Sequence, residues 1–355
     1  MESIASSHSP FELMTDQSET RAFARAPMRI SFAGGGTDVA PYPEREGGAV
    51  LSAAIRRYAY ASARIRADDQ FVIRSLDLGL VSEGRIGELS ELDQRLHLLS
   101  GPVSRLASDG RGVELRVQSQ APPGSGLGAS STIVVAVVGA LLAAYGRSGS
   151  ANQVARAAIE IERRDLGLTG GTQDHYAAAF GGVNFLEFGG DEVTVNQLKL
   201  PPATVATLEH NLLLCHLGAS RESATIIDDQ SDRFRNHAEA TVAALGRQKE
   251  LAVEMKRTLL AGHLDEFGSL LNEAWHSKKQ LSPLVSTEAA GHAHRLASDA
   301  GALGGKITGA GGGGYMLFYA PFDRRFEVAQ ALRDDGFDVL DVSFDEMGME
   351  SWRGE

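Results

Sequence analysis

Residues 122–131, PPGSGLGASS, constrain this chain more than any other segment. Glycines at 124, 126 and 128 remove both helix and strand preference, so the segment must be a loop. Before it, residues 113–117 alternate apolar and polar side chains, the period of a half-buried strand. After it, residues 133–145 are almost unbroken apolar sequence, which predicts a buried helix ending near Tyr145. Such a chain gathers consecutive backbone N–H groups, the unpaired N–H groups of a first helical turn and the positive end of a helix dipole. That arrangement binds polyphosphate without a lysine. Ser130 and Ser131 then fall where a hydroxyl can ligate a Mg2+ that bridges phosphate oxygens.

Taken alone, the segment admits three readings. The GxxxxGK[ST] phosphate loop is absent, since no lysine follows the glycines. The dinucleotide fingerprint G-x-G-x-x-[GA] is met by Gly124, Gly126 and Ala129 and would imply an NAD(P)-dependent oxidoreductase. That fingerprint wants an acidic strand end about 20 residues on, whereas YGRSGS and a further helix follow here. A plain glycine-rich turn is the third.

Two more glycine-rich segments flank this one. An extended run at 28–32 meets AGGGTD at 33–38, and Lys306 introduces ITGAGGGG ahead of a strand at 315–319. Residues 48–66 suggest one or two strands. Ser150 with Gln153 makes a capping box for a helix running to about Asp165. A Gly-rich loop at 167–174 and a strand at 181–188 follow, and Pro201-Pro202 marks a domain boundary. Beyond it the order is a strand at 211–217, helices between about 223 and 280, and a helix at 287–302. The strand at 315–319, a helix at 324–334 and a strand at 337–344 complete it. This order predicts a split βαβ sheet with helices on one face, and an α+β chain overall. The expected division is a loose tail at 1–20, an N-terminal domain at 21–202 and a C-terminal domain at 203–355.

Composition narrows the function classes. A net charge of -12 with no basic stripe argues against nucleic acid and against an anionic membrane surface. The one cysteine, Cys215, cannot form an internal disulfide. The start of the chain lacks the basic and apolar regions of a signal peptide, and the 13-residue apolar run is too short to span a bilayer. A soluble cytoplasmic protein is expected. His292 and His294, at i and i+2 of a helix, point apart, so zinc is not expected.

PPGSGLGASS resembles the second motif of the GHMP kinases, the galacto-, homoserine, mevalonate and phosphomevalonate kinases. RAPMRISFAGGGTD at 25–38 resembles their first motif and KITGAGGGG at 306–314 their third. The resemblance runs from about residue 24 to about residue 345. It implies the two-domain GHMP kinase fold, with an N-terminal ribosomal protein S5 domain 2-like part and a C-terminal ferredoxin-like split βαβ part. It also implies ATP and Mg2+ as cofactors and ATP-dependent phosphorylation of a small hydroxylated metabolite. The ATP-binding residues become Pro123, Gly124, Ser125, Gly126, Leu127, Gly128, Ala129, Ser130 and Ser131.

Phosphoryl transfer needs a positioned acceptor hydroxyl, charge neutralisation and a metal. Asp174, after a Gly-rich loop, matches the family's catalytic aspartate; by residue type alone it could equally cap the helix that follows. Arg29 matches the basic residue of the first motif, expected beside Asp174 and the transferred phosphate. Glu162, twelve residues before Asp174, stands where relatives place a second Mg2+ ligand. Because i and i+2 on a helix face apart, only one of Glu160 and Glu162 can face the loop. Ala129 replaces a serine common in relatives, which leaves Ser130 or Ser131 as the metal ligand; Ser130 is preferred. His175 stands where many relatives carry glutamine and is expected to be structural.

Within the family, AGGGTD, Tyr58-Ala59-Tyr60, HSKKQLSPLVST and GALGGKITGAGGGGYMLFY most resemble the bacterial members acting on D-glycero-D-manno-heptose 7-phosphate. Those phosphorylate its anomeric oxygen for nucleotide-activated heptose. The resemblance assigns the sugar or sugar phosphate to Gly35, Gly36, Thr37, Asp38, Asp174, Gly311, Gly312 and Lys278, with Lys279 and Arg221 as further cations for a 7-phosphate. A fucokinase-like or other sugar 1-kinase is the alternative, and a degenerate binding protein of the same fold is a third. A small molecule is the only partner expected, for a monomer or homodimer.

Overall fold

Two β-sheets organise the chain, whose computed structural model describes residues 12–13, 21–107, 109–190, 192–218 and 223–354. The first sheet takes β1 (Ala22–Ala33), β2 (Gly48–Ile65), β3 (Gln70–Ser75), β4 (Leu80–Arg85), β5 (Val113–Ser119), β6 (Val183–Gly189) and β7 (Glu192–Gln197). The second is built from β8 (Leu212–His216), β9 (Gly304–Ile307), β10 (Tyr315–Tyr319) and β11 (Asp338–Asp341). A last strand, β12 (Glu350–Arg353), returns to the first sheet and pairs with β1. Most of the expected tail at 1–20 lies outside the described residues; Glu12–Leu13 pairs with Arg147–Ser148.

Residues 48–66, read as one or two strands, form one 18-residue strand that changes partners. Its first six residues pair with β6 and its last seven with β5. The register of β1 against β2 shifts between Pro27 and Met28, where the proline has no N–H to give the ladder. Arg29 follows immediately.

The Gly-rich loop leads into α1 (Ala129–Ala144), which is buried nearly all round. Its apolar sequence has no polar stripe because β1 and β2 cover one side and other helices the rest. The capping box forms as expected: Ser150 accepts from the Gln153 amide and Gln153 from the Ser150 amide, opening α2 (Ala151–Ile159). That helix ends earlier than expected, passing at Glu160–Asp165 into a π-turn. Helix α3 (Gln173–Phe180) follows the second Gly-rich loop.

The second sheet runs β9–β10–β8–β11 with every neighbour antiparallel. Helices α4 (Ser223–Arg235), α5 (Glu239–Ala261), α6 (Leu264–Lys278) and α7 (Glu288–Asp299) separate β8 from β9, and α8 (Arg325–Asp334) separates β10 from β11. This is the ferredoxin-like split βαβ order, enlarged by helices. Pro201-Pro202 opens a helix, Pro202–Asn211, with proline in its first turn.

The two parts share a core. Met28, Ile30, Phe32 and Leu51 of the first sheet pack with Leu214, Leu251, Phe267 and Tyr319 from beyond the boundary. Phe32 meets Phe267 edge-on, ring centres 5.1 Å apart. A division at 202 also leaves residues 344–354 on the wrong side, because Phe344 bridges Ile55 and β12 extends the first sheet.

Asp345 holds that return. Its carboxylate accepts from the Tyr58 hydroxyl at 2.8 Å and from the Met347 and Gly348 amides at 3.1 and 2.8 Å, while almost fully buried. Asp345→Ala strands those donors and should cost on the order of 3 kcal/mol, against about 1 kcal/mol for Tyr58→Phe. Urea denaturation of both variants measures the difference; equal midpoints would mean the carboxylate does not hold the strand.

Candidate active site

The three Gly-rich segments meet around one cavity of about 280 Å3. Gly124, Gly126 and Gly128 all take left-handed backbone angles (φ 76°, 77° and 77°), separated by ordinary residues. The Ser125 amide donates to the Pro122 carbonyl at 3.2 Å and the Leu127 amide to the Ser125 hydroxyl at 3.4 Å, which leaves the remaining amides of this glycine nest for an anion. Gly128 caps α1 with no side-chain bond, so the first amides of the helix also face the loop uncapped.

The third segment buttresses the second. A Cβ on Gly126 would stand 2.6 Å from the Thr308 carbonyl oxygen, and one on Gly314 2.5 Å from that of Ser125. The Tyr315 amide donates to the Ser125 carbonyl at 2.9 Å. Gly309 and Ala310 line the cavity, whereas Gly311 and Gly312, expected at the substrate, do not. Both turn to Val285, whose carbonyl accepts from the Gly312 amide at 2.9 Å. At Gly311 a Cβ would stand 2.8 Å from that carbonyl oxygen, a close backbone approach that glycine-rich sequence does not distinguish from ligand contact.

Arg29 and Asp174 are brought together from 145 residues apart. The Arg29 Nε and Nη2 donate to Asp174 Oδ1 at 2.8 and 2.7 Å, and Nη1 donates to the Gly126 carbonyl at 2.5 Å. The Arg29 amide donates to Leu127. Asp174 sits inside the first turn of α3; Thr172 holds the cap position. The remaining Asp174 oxygen, Oδ2, lies on the loop side, 3.0 Å from where a Gly128 Cβ would stand.

Asp38 does more for the protein than the sequence suggests. Oδ1 accepts from the Gly36 amide and from Gln173 Nε2, and Oδ2 from the Gln173 amide, all at 3.1 Å. It therefore anchors the start of α3 to the first motif while lining the cavity with Gly35 and Gly36. Thr37 lies behind the wall: its hydroxyl bonds Gly34 and Ala49 and does not line the cavity. Leu127 is in the core and Pro123 is exposed without an N–H to offer; neither lines it, while Gly124, Ser125, Gly126, Gly128, Ala129, Ser130 and Ser131 do.

The π-turn separates the two glutamates. Glu160 turns outward to Arg105, and Glu162 turns inward, 3% exposed, onto the cavity. Burial alone would raise the Glu162 carboxyl, but His175 and Arg163, with the Ser131 hydroxyl, hold it at about 2. His175 Nε2 approaches Glu162 Oε2 at 2.6 Å, and Arg163 Nη1 approaches Oε1 at 3.2 Å. Arg163 also donates to the Leu168 and Gly171 carbonyls and so pins the 167–172 loop. Ser131 is buried beside Glu162 and Ser130 is exposed to the cavity. One carboxylate and one hydroxyl, both hard oxygen donors, suit a Mg2+ that takes its remaining ligands from phosphate and water. Among the described residues no three His, Cys, Asp or Glu side chains form a metal cluster.

Lys278 is 3% exposed yet lines the cavity. Burial lowers its ammonium to about 8, opposed by Asp38 and assisted by Arg29. Behind it Lys306, fully buried, donates to the Ser31 and Ile307 carbonyls and is pushed further below the ordinary lysine value by burial, Lys278 and Arg29. Lys279 stacks on Trp275 away from the cavity, and Arg221 lies outside the described residues. Sequence reasoning did not single out Gln173 or Arg163, since isolated polar residues carry no local pattern, and it read Lys306 only as the opening of the third motif. His292 and His294 do diverge, to Asp335 and Asn272. Cys215 is buried, its thiol pushed up to about 12. No helix among the described residues is long and apolar enough to cross a membrane.

Comparison with known proteins agrees with this geometry. Residues 97–182 match the GHMP kinases N terminal domain and residues 255–338 the GHMP kinases C terminal domain. A D-glycero-alpha-D-manno-heptose 7-phosphate kinase of Campylobacter jejuni is 34% identical over 93% of this chain and 98% of its own. A bifunctional fucokinase/GDP-fucose pyrophosphorylase of Arabidopsis thaliana is 27% identical over 90% of this chain, which spans 32% of that longer protein. Among solved structures, a D-glycero-D-manno-heptose 1-phosphate kinase from Bacteroides thetaiotaomicron superposes with a TM-score of 0.78 at 32% identity, covering 94% of this chain and 99% of that one. With the glycine nest, the Arg29–Asp174 pair and both domain matches on one chain, this protein belongs to the GHMP kinase family of ATP- and Mg2+-dependent kinases.

Proposed function

We propose that this kinase transfers the γ-phosphoryl group of ATP to the anomeric hydroxyl of D-glycero-D-manno-heptose 7-phosphate, giving the 1,7-bisphosphate. The observation that carries the reading is the single cavity in which the glycine nest, the Arg29–Asp174 pair and the Gly35–Gly36 wall converge. The similarity to a heptose 7-phosphate kinase over nearly the whole chain supports the sugar. The solved relative is named a 1-phosphate kinase, so the two names put phosphate at different ends of the heptose. The anomeric assignment here follows the 7-phosphate name.

In this reading the nest at 124–128 and the start of α1 hold the nucleotide phosphates. Asp174, with one oxygen fixed by Arg29, orients the sugar hydroxyl through the other and takes its proton as the bond to phosphorus forms. Arg29 offsets charge developing on the transferred group. Glu162 and Ser130 would hold Mg2+, which neutralises phosphate charge. Gly35 and Gly36 leave room for a long sugar, and Gln230, whose side chain stands 2.8 Å from a Gly36 Cβ position, closes that wall. The sugar's own phosphate falls to Lys278 among the described cations that line the cavity without a hydrogen-bond partner.

Asp174→Asn should keep ATP affinity by calorimetry yet lose about 10²–10⁴ in turnover. An ADP-release assay across heptose 7-phosphate, heptose 1-phosphate, fucose and mannose, with phosphorus NMR of the product, tests the sugar. Fucose turned over in preference to either heptose phosphate would favour the fucokinase-like alternative.

Lys278 yields a stability prediction. Its folded value of about 8 lies below the ordinary 10.5. Below pH 8 both states are protonated, and burying the charge opposes folding in full. Between pH 8 and 10.5 only the unfolded chain keeps the proton, so that penalty fades. Lys278→Met should therefore be more stable than the wild type at pH 7, by on the order of 3 kcal/mol, and the gain should shrink by pH 10. It should also raise KM for the sugar phosphate. Denaturation at both pH values is the check; a gain that does not change with pH would show the ammonium to be solvated.

A further inference from the structure

Beside the residues already placed at the reacting centre stands a histidine the mechanism does not use. His175 is 0% exposed and does not line the cavity, so it cannot touch a ligand. Its Nε2 lies 2.6 Å from Glu162 Oε2, while Oε1 is 3.2 Å from Arg163 and the Ser131 hydroxyl also bonds the carboxylate. A carboxylate only accepts, so the hydrogen of that bond sits on Nε2. The other ring nitrogen is 3.4 Å from the Thr172 carbonyl, a long contact that leaves Nε2 as the working end.

Glu162 needs such a partner because of where it lies. The π-turn at Glu160–Asp165 gives its backbone an extra residue per turn, with Leu166 N–H reaching back to Ile161. That widened turn aims the side chain inward, where Arg163 and the Ser131 hydroxyl bond the carboxylate and His175 takes Oε2 from the side of α3. His175 sits on α3, one residue after Asp174 and across from the π-turn, with the Asp38 carboxylate anchoring that helix start. The first turn of α3 thus carries two neighbouring side chains with different targets, Asp174 toward Arg29 and His175 toward Glu162.

We propose that His175 is a positioning residue which clamps Glu162 through its Nε2–H, setting the carboxylate for Mg2+ and tying the metal side of the site to the helix that carries Asp174. The inference rests on Glu162 being a metal ligand, as read above. Outer partners of this kind typically change metal affinity by about 10–100-fold. The bond also has a reach requirement. A glutamine amide can place its nitrogen near the position of Nε2, whereas asparagine places its nitrogen near Nδ1 and falls short of Glu162. Both are polar and smaller than histidine, so neither introduces a buried clash.

The test compares His175→Gln with His175→Asn, using Mn2+ as the probe. Mn2+ binding to the enzyme with ADP is followed by electron paramagnetic resonance, and ADP binding without metal by calorimetry. His175→Gln should stay within about threefold of the wild type, and His175→Asn should weaken Mn2+ by about 10–100-fold while metal-free ADP affinity is retained. Three results would overturn the clamp: equal Mn2+ affinities in the two variants, an unweakened Mn2+ affinity in His175→Asn, or parallel loss of metal-free ADP binding in His175→Asn. Glu162→Gln separates this from the reading beneath it. If Glu162→Gln leaves Mn2+ affinity unchanged, the metal assignment falls and the clamp with it. If Glu162→Gln weakens Mn2+ and His175→Asn does not, the clamp alone is wrong.

Discussion

The guanidinium of Arg29 is the joint on which the site depends. It reaches Asp174 with two nitrogens and the Gly126 carbonyl with a third, while its own amide bonds Leu127. One side chain on β1 therefore sets the phosphate loop and the start of α3 relative to each other. Charge-assisted bonds from a planar fork are directional as well as strong, which is why such a site uses arginine here in place of lysine. The shift in β1 register at Pro27 falls just before it, and the third motif backs the loop from the other side.

The site carries a cost that the remainder of the fold offsets. Arg29, Lys278 and Lys306 are all nearly buried, and Lys278 and Lys306 lose part of their hold on protons through burial and, more weakly, through repulsion from Arg29, with Lys278 adding to it at Lys306. Burying cations is unfavourable unless they are paired or hydrogen-bonded. Lys306 is satisfied by two carbonyls, while Lys278 faces the cavity without such bonds. A buried ammonium left without a hydrogen bond is what a site made for an anionic or hydroxyl-rich ligand would keep. The stability needed to hold it comes from the shared core of Met28, Phe32, Phe267 and Tyr319 between the two sheets.

Much of this was legible in the sequence, for identifiable reasons. Glycine spacing at 124, 126 and 128 marked a loop opening a helix, and the two flanking motifs made that loop a phosphate site. The i, i+2 argument separated Glu160 from Glu162 because helix geometry, even through a π-turn, sends them to different sides. Asp174 was found through the motif order, although its local position alone suggested a cap that Thr172 in fact occupies. Glycine can mean either of two things in such a segment. Gly311 and Gly312 sit against the backbone at Val285 outside the cavity lining, and Thr37 is a staple behind the cavity wall. Strands β3, β4 and β7 and the return of β12 were not read, being short segments without a distinctive period.

The sequence by itself determined the class of chemistry, because three glycine-rich motifs in order, each marking a loop, leave one family's arrangement where any one of them leaves several. It also determined the α+β order of elements, which follows from hydrophobic period and chain punctuation. Only the tertiary structure decided how distant side chains share their work. Asp38 turned out to anchor α3, Lys278 to be buried in the cavity wall, and His175 to face Glu162. Those roles depend on contacts between residues from 13 to well over 100 positions apart. Local pattern does not encode such contacts; the packing of α3 and α6 against the first motif does.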